Sequence, residues 1–160
     1  MDEIGKGRRM KFLTLYQPWA SLIACGAKQI ETRSWATSYR GWLGICAAKM
    51  FPLPARFLCG REPFTGTLIR AGYGDPRDLP LGAVLVIVNL TCILTVTRAL
   101  LANLSEEERA FGNYALGRRA WCSADTVRLP RPILCRGRQG LWSDEELAER
   151  VQLALGRKFP

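Results

Sequence analysis

Between Gly82 and Thr97 the chain reads Gly-Ala-Val-Leu-Val-Ile-Val-Asn-Leu-Thr-Cys-Ile-Leu-Thr-Val-Thr, too long and too rich in β-branched residues for an uncapped core helix. Such a segment needs neighbours on both edges. It predicts one long, bent strand crossing the middle of a sheet or barrel, with Asn89 at a bulge. Asn89, Thr91 and Thr95 interrupt its apolar run, which therefore falls short of a membrane span.

Shorter elements flank this strand. Residues 1–10 read as a flexible leader, and the ordered chain is expected over 11–160 as one domain. Phe12–Tyr16 is a first strand, and Gln17-Pro18 opens a short helix with Trp19, Leu22 and Ile23 on its buried face and Gly26 at its end. A strand through Lys28–Trp35 sets Ile30 and Thr32 on one face and Glu31, Arg33 and Trp35 on the other. Tyr39-Arg40-Gly41 turns into a strand from Trp42 to Ala48. Five prolines and four glycines over 50–80 leave room only for short helices near 53–59 and 64–71. Ser105-Glu-Glu-Glu108 has the capping-box pattern, with all three glutamates read as cap residues. Strands are expected at Arg118–Arg128 and near Gly140–Trp142, joined by a Pro130-Arg-Pro132 link. A helix over 143–155 follows, capped by Ser143 with Glu146 completing the box. Strands with short helices and no regular β-α alternation indicate an α+β or β-barrel domain, not a doubly wound sheet.

The chain has no histidine, which removes Ser-His-Asp triads and histidine-bearing zinc sites. Its six cysteines form no C-x-x-C pair and read as reduced, mostly buried thiols. No metal or other cofactor is expected. With no secretory signal, the expected location is the cytoplasm, and a monomer is the default. Lys and Arg number 23 against 14 Asp and Glu, a formal charge of +9, which favours a polyanionic partner.

Two constellations stand out. In Gln17-Pro18-Trp19-Ala20-Ser21-Leu22-Ile23-x-x-Gly26-x-Lys28-x-x-Glu31-x-Arg33-Ser34-Trp35, a lysine, a carboxylate, an arginine and two tryptophans gather where a helix hands over to a strand. Glu31 and Arg33 share a strand face, where they would clamp a polar ligand or simply pair with each other. From Arg118 to Arg138 six arginines stand against one acid, Asp125. There Gly137 separates Arg136 from Arg138 and Gly140 follows, in a loop suited either to phosphates or to solvent. Trp35 is the best candidate for stacking on a base; most of the other tryptophans read as core.

Taken together, Leu-Tyr-Gln-Pro-Trp-Ala-Ser-Leu-Ile, Gly-x-Lys-x-x-Glu-x-Arg-Ser-Trp, Tyr-Arg-Gly-x-Leu and Val-Arg-x-Leu-Pro-x-Pro-Ile-x-Cys-Arg-Gly-x-Gln-Gly-Leu-Trp resemble the ASCH domain family over residues 11–143. The resemblance implies a PUA-like pseudo-barrel of mixed strands with peripheral helices, and a nucleic-acid-facing cleft beside the first helix. It implies that the Gly-x-Lys-x-x-Glu-x-Arg segment, with Lys28, Glu31 and Arg33, lines this cleft; with Trp35, Arg40, Arg136 and Arg138 these are the candidate ligand residues, and RNA or a modified nucleoside is the expected partner. One subgroup of the family hydrolyses the acetyl amide of N4-acetylcytidine, which the resemblance assigns to a lysine at the position of Lys28, a threonine where this chain has Glu31 and a glutamate from a later strand, for which Glu106, Glu107 and Glu108 are the nearest candidates here. Relatives with the Gln-Pro-Trp motif tend to carry histidine where Cys46 stands.

Three functions follow. As an RNA-binding module, the chain would set Arg33, Arg136 and Arg138 on phosphates and Trp35 on a base. As an amidohydrolase, it would use Glu31 as base and Lys28 as electrostatic stabiliser, because an adjacent carboxylate raises a lysine pKa. A ribonuclease working without histidine ranks third.

Overall fold

The computed structural model describes residues 9–160. The leader expected over 1–10 falls mostly outside the described residues; Met10, at its end, is buried in the core. In chain order the elements are β1 (Lys11–Leu15), α1 (Trp19–Ala24), β2 (Ile30–Arg33), β3 (Gly41–Ala47), α2 (Leu53–Leu58) and α3 (Phe64–Arg70). Then come β4 (Ala83–Thr95), α4 (Arg98–Asn103), α5 (Glu106–Ala110), β5 (Arg119–Leu134), β6 (Leu141–Trp142) and α6 (Glu145–Leu155). The strands form one sheet in the order β2-β5-β4-β3-β1-β6. β1 and β3 run parallel, and the other neighbours are antiparallel.

The long strand read from Gly82 to Thr97 is β4, central as expected. Alternation along β1 sends Phe12 to one face of the sheet and Leu13 and Leu15 to the other. Ala20 and Ile23 of α1 cover Leu13, Ile45 and Trp121, whereas Leu147 and Val151 of α6 cover Phe12, Val84 and Trp142. A third cluster joins Leu22 of α1 to Phe64 and Leu68 of α3 and to Phe111.

The sheet bends where its ladders slip. Ile45 pairs with Val86 but Cys46 pairs with Val84, so Leu85 is an extra residue in β4 and shares a face with Val86. Near Asn89 the extra residue lies on the opposite strand: Ile87 pairs with Val127 and Asn89 with Ala124, and the bulge contains Asp125 at φ 53°. Asn89 Nδ2 donates to Asp125 Oδ2 at 3.4 Å across it. The expected bulge thus occurs at that level, carried by β5.

Three further local readings are corrected. Pro130-Arg-Pro132 does not separate two strands: Val86 pairs with Arg128 and Val84 with Ile133, so residues 129–132 bulge from the ladder and the prolines forfeit no bond. The cap of α6 is Asp144, whose extended backbone lets its carboxylate accept from Leu147 N at 2.9 Å; Ser143 Oγ instead accepts from Lys11 Nζ. α4 was not expected at all, and Thr97 caps it by accepting from Leu100 N at 3.2 Å.

Candidate functional site

A cleft of about 990 Å³ opens where the C-terminal end of β1, β2, the turn after α5 and the loop before β6 converge. The sequence Arg136-Gly137-Arg138 reaches it because that loop is pinned to β1. Thr14 Oγ1 accepts from Arg138 N at 3.2 Å and from Trp142 Nε1 at 3.1 Å. A Cβ on residue 137 would stand 2.7 Å from Thr14 Cγ2, so only glycine permits this approach. The Arg138 guanidinium lies over the Trp142 ring, 5.4 Å from its centroid, which holds the charge at the rim.

The opposite wall is β2. Glu31, Thr32, Arg33 and Trp35 all line the cleft. Glu31 and Arg33 do not pair with each other: Glu31 Oε1 accepts from Thr32 N at 3.0 Å, and Arg33 Nη2 donates to Thr14 O at 3.3 Å. Trp35 is half-buried, edge-on to Trp121 with centroids 4.8 Å apart, and its carbonyl accepts from Trp121 Nε1. Trp121 and Trp142 are core residues, as expected.

Several lining residues were not singled out in the sequence. Tyr16, Lys49, Met50 and the Phe111-Gly112-Asn113 turn contribute to the walls, beside Trp19 of the first constellation. So does Arg118, counted above only within the arginine run; its Nη2 donates to Thr32 O at 3.2 Å. Its signal was the antiparallel pairing of β2 with β5, which sets Arg33 opposite Arg119 and is not readable from spacing. Five lining residues are cationic, Arg33, Lys49, Arg118, Arg136 and Arg138, against one acid, Glu31.

Lys28 is not a wall residue. It is 2% exposed beneath the Phe111–Gly112 turn, donating to Phe111 O at 3.2 Å; a Cβ on Gly112 would lie 3.4 Å from its Nζ. Burial lowers its pKa from the usual 10.5, outweighing the upward pull of Glu31 and then Glu108. This reverses the sign expected from Glu31 alone. Arg40 turns away from the cleft, its Nη1 donating to the carbonyls of Thr37 and Tyr39.

Glu108, read as a cap residue, has a second duty. Ser105 Oγ does accept from Glu108 N, but the Glu108 carboxylate accepts from Gln29 N at 2.9 Å, Ile30 N at 3.2 Å and Tyr114 Oη at 3.2 Å. It thereby ties the start of β2 to α5, with Lys28 between them. Cys46 is fully buried between the sheet and α6, in the cluster against which the free thiol of Cys135 packs. The neighbouring Cys135 side chain, and then burial, push its pKa up. It takes no part in lining the cleft. Among the described residues no group of three or more His, Cys, Asp or Glu side chains is placed to hold a metal, and no helix is long and apolar enough to cross a membrane.

A curled six-stranded mixed sheet, half closed and ringed by short helices, defines a PUA-like fold. Residues 13–132 match the model of the ASCH domain, and the chain belongs to the ASCH domain family, which is associated with RNA binding. Two relatives, the activating signal cointegrator 1 proteins of Homo sapiens and Mus musculus, are each 39% identical over 79 residues. Those residues cover 49% of this chain and 13% of theirs, so the chain matches a small part of those proteins. An ASCH protein from Zymomonas mobilis superposes with a TM-score of 0.55 at 16% identity, over 96% of this chain and 98% of that one. A mutant ASCH protein from the same organism gives 0.55 at 19% identity, over 91% and 96%. At these identities the likeness is one of fold.

Proposed function

We propose that the chain binds RNA across this cleft, with Arg33, Arg136 and Arg138 on phosphates and Trp35 against a base. The supporting observation is the composition of the walls, five cations to one acid, beside a half-exposed tryptophan. Arginine forks suit phosphate oxygens, and the rim loop brings backbone N–H groups near the same space.

The test is the affinity for a short single-stranded RNA at low and moderate salt. Arg136→Gln with Arg138→Gln is expected to weaken binding by about tenfold or more. An affinity that ignores salt would overturn the reading, because phosphate neutralisation must release counterions. Recovering the RNA intact after incubation separates binding from cutting.

A deacetylase reading draws support from the lowered pKa of Lys28 beside Glu31. It requires the ammonium to leave Phe111 O and reach the cleft. Incubation with N4-acetylcytidine decides it, with Lys28→Ala and Glu31→Ala as controls; absence of cytidine from the wild type ends it for that substrate.

A further inference from the structure

The cleft holds two cations whose donors the fold leaves unsatisfied. Arg33 ends β2 and Arg118 immediately precedes β5, the strand paired with β2. Each guanidinium is tethered by one nitrogen only: Arg33 Nη2 to Thr14 O and Arg118 Nη2 to Thr32 O. The Nε of each is buried and has no hydrogen-bond partner. Among the described residues neither arginine forms an ion pair, although both line the same cleft. A buried donor without an acceptor is costly, and more so on a cation, so two cleft-lining guanidinium groups, each held by a single hydrogen bond, favour an anion from outside that balances their charge and bonds the N–H groups they turn to the cleft.

We infer that Arg33 and Arg118 together seat one terminal phosphoryl group. This deepens the RNA reading and rests on it for the chain that carries the phosphate. Two guanidinium groups present two positive charges. A carboxylate brings one negative charge and two oxygens, enough for a single fork. A phosphodiester within a strand also brings one charge, and its chain must leave in both directions. A terminal phosphate carries close to two charges near neutral pH and three free oxygens, so it bridges both guanidinium groups at once. Arg136 and Arg138, on the facing wall, are left for phosphates further along the strand.

The same phosphoryl chemistry occurs at a 5′ end, at a 3′ end and on a free nucleoside monophosphate. The wild-type protein is therefore titrated with one short RNA sequence bearing a 5′-phosphate, a 3′-phosphate or hydroxyls at both ends, and with a nucleoside 5′-monophosphate and its nucleoside. One phosphorylated end is expected to bind about tenfold tighter than the hydroxyl-ended RNA. Arg33→Gln and Arg118→Gln, each checked for unchanged melting, are expected to abolish that preference. Arg136→Gln with Arg138→Gln is expected to weaken all three RNAs while the preference persists. Equal binding of the three RNAs by the wild type overturns the phosphoryl seat and leaves the RNA reading standing. Binding of the nucleoside monophosphate over the nucleoside, without RNA binding, keeps the seat and overturns the RNA reading. Binding of neither overturns both.

Discussion

Lys28 carries an ammonium group 2% exposed beneath the cleft, and its energetic signature is a pH dependence. Its folded pKa is lowered from 10.5 chiefly by burial, so between that lowered value and 10.5 the unfolded chain binds more protons than the folded one. Stability attributable to Lys28 therefore rises with pH across that window as the penalty on the buried charge is relieved. Tyr114, whose pKa burial pushes up, acts in the opposite sense at higher pH, so the informative quantity is the difference between wild type and Lys28→Met. Melting temperatures followed through the alkaline range are expected to show the wild type gaining on the variant; a constant difference would mean the ammonium is solvated. Glu108 makes a second prediction at this scale. Its carboxylate holds two backbone N–H groups and a phenol, so Glu108→Ala is expected to cost about 1–3 kcal/mol. Exposed Glu106, on the same helix, is expected to change stability by less than about 0.5 kcal/mol when replaced by alanine. Denaturant melts of the two variants compare them directly. Local sequence could not reveal this role: the capping-box pattern spans four residues, whereas the backbone partners of Glu108 lie 79 and 78 residues away.

At the scale of elements, the periodic segments were legible and the irregular ones were not. β4 announces itself by composition, and α1 by its apolar spacing and Gly26, which adopts φ 81° after the helix. The exact bulge residues were hidden because a bulge is a relation between two strands; Asn89 has the polar character, yet the extra residue lies on the strand that carries Asp125. The rim loop was read correctly as rich in glycine and arginine, but its attachment to Thr14 spans 124 residues of sequence. That attachment yields a clean experiment. Gly137→Val would drive its side chain into Thr14 Cγ2 and lift Arg136 and Arg138 off β1. The expected result is an RNA affinity reduced about fivefold or more, with melting changed by only a few degrees because the loop lies outside the core. Unchanged affinity would show that the loop's seat on β1 is irrelevant to the ligand.

For the whole molecule, the excess of positive charge matters through its location. Five cations face the cleft, so if all five neutralise phosphates of a single strand, the slope of log K against log salt approaches about −3.5. A slope near zero would mean that the net charge of +9 serves solubility and not binding. Family motifs made the fold and half of the cleft readable before any coordinates. Arg33, Trp35, Arg136 and Arg138 line one cleft, whereas Lys28 sits below the floor and Arg40 turns aside. Arg118 was visible only as one charge among six, since its value comes from lying one strand away from Arg33. The smallest element has the widest consequence. β6 pairs with β1 through just two residues, Leu141 and Trp142, and it forms the sheet's outer edge beside the rim loop. An edge held so briefly is a natural first point of opening, and any ligand touching both the rim loop and β2 would act as a strap across it. Saturation at about a hundred times Kd would then add roughly 2.7 kcal/mol to global stability. Backbone amides of Leu141 and Trp142 would slow their hydrogen exchange first, making that edge a built-in reporter of occupancy.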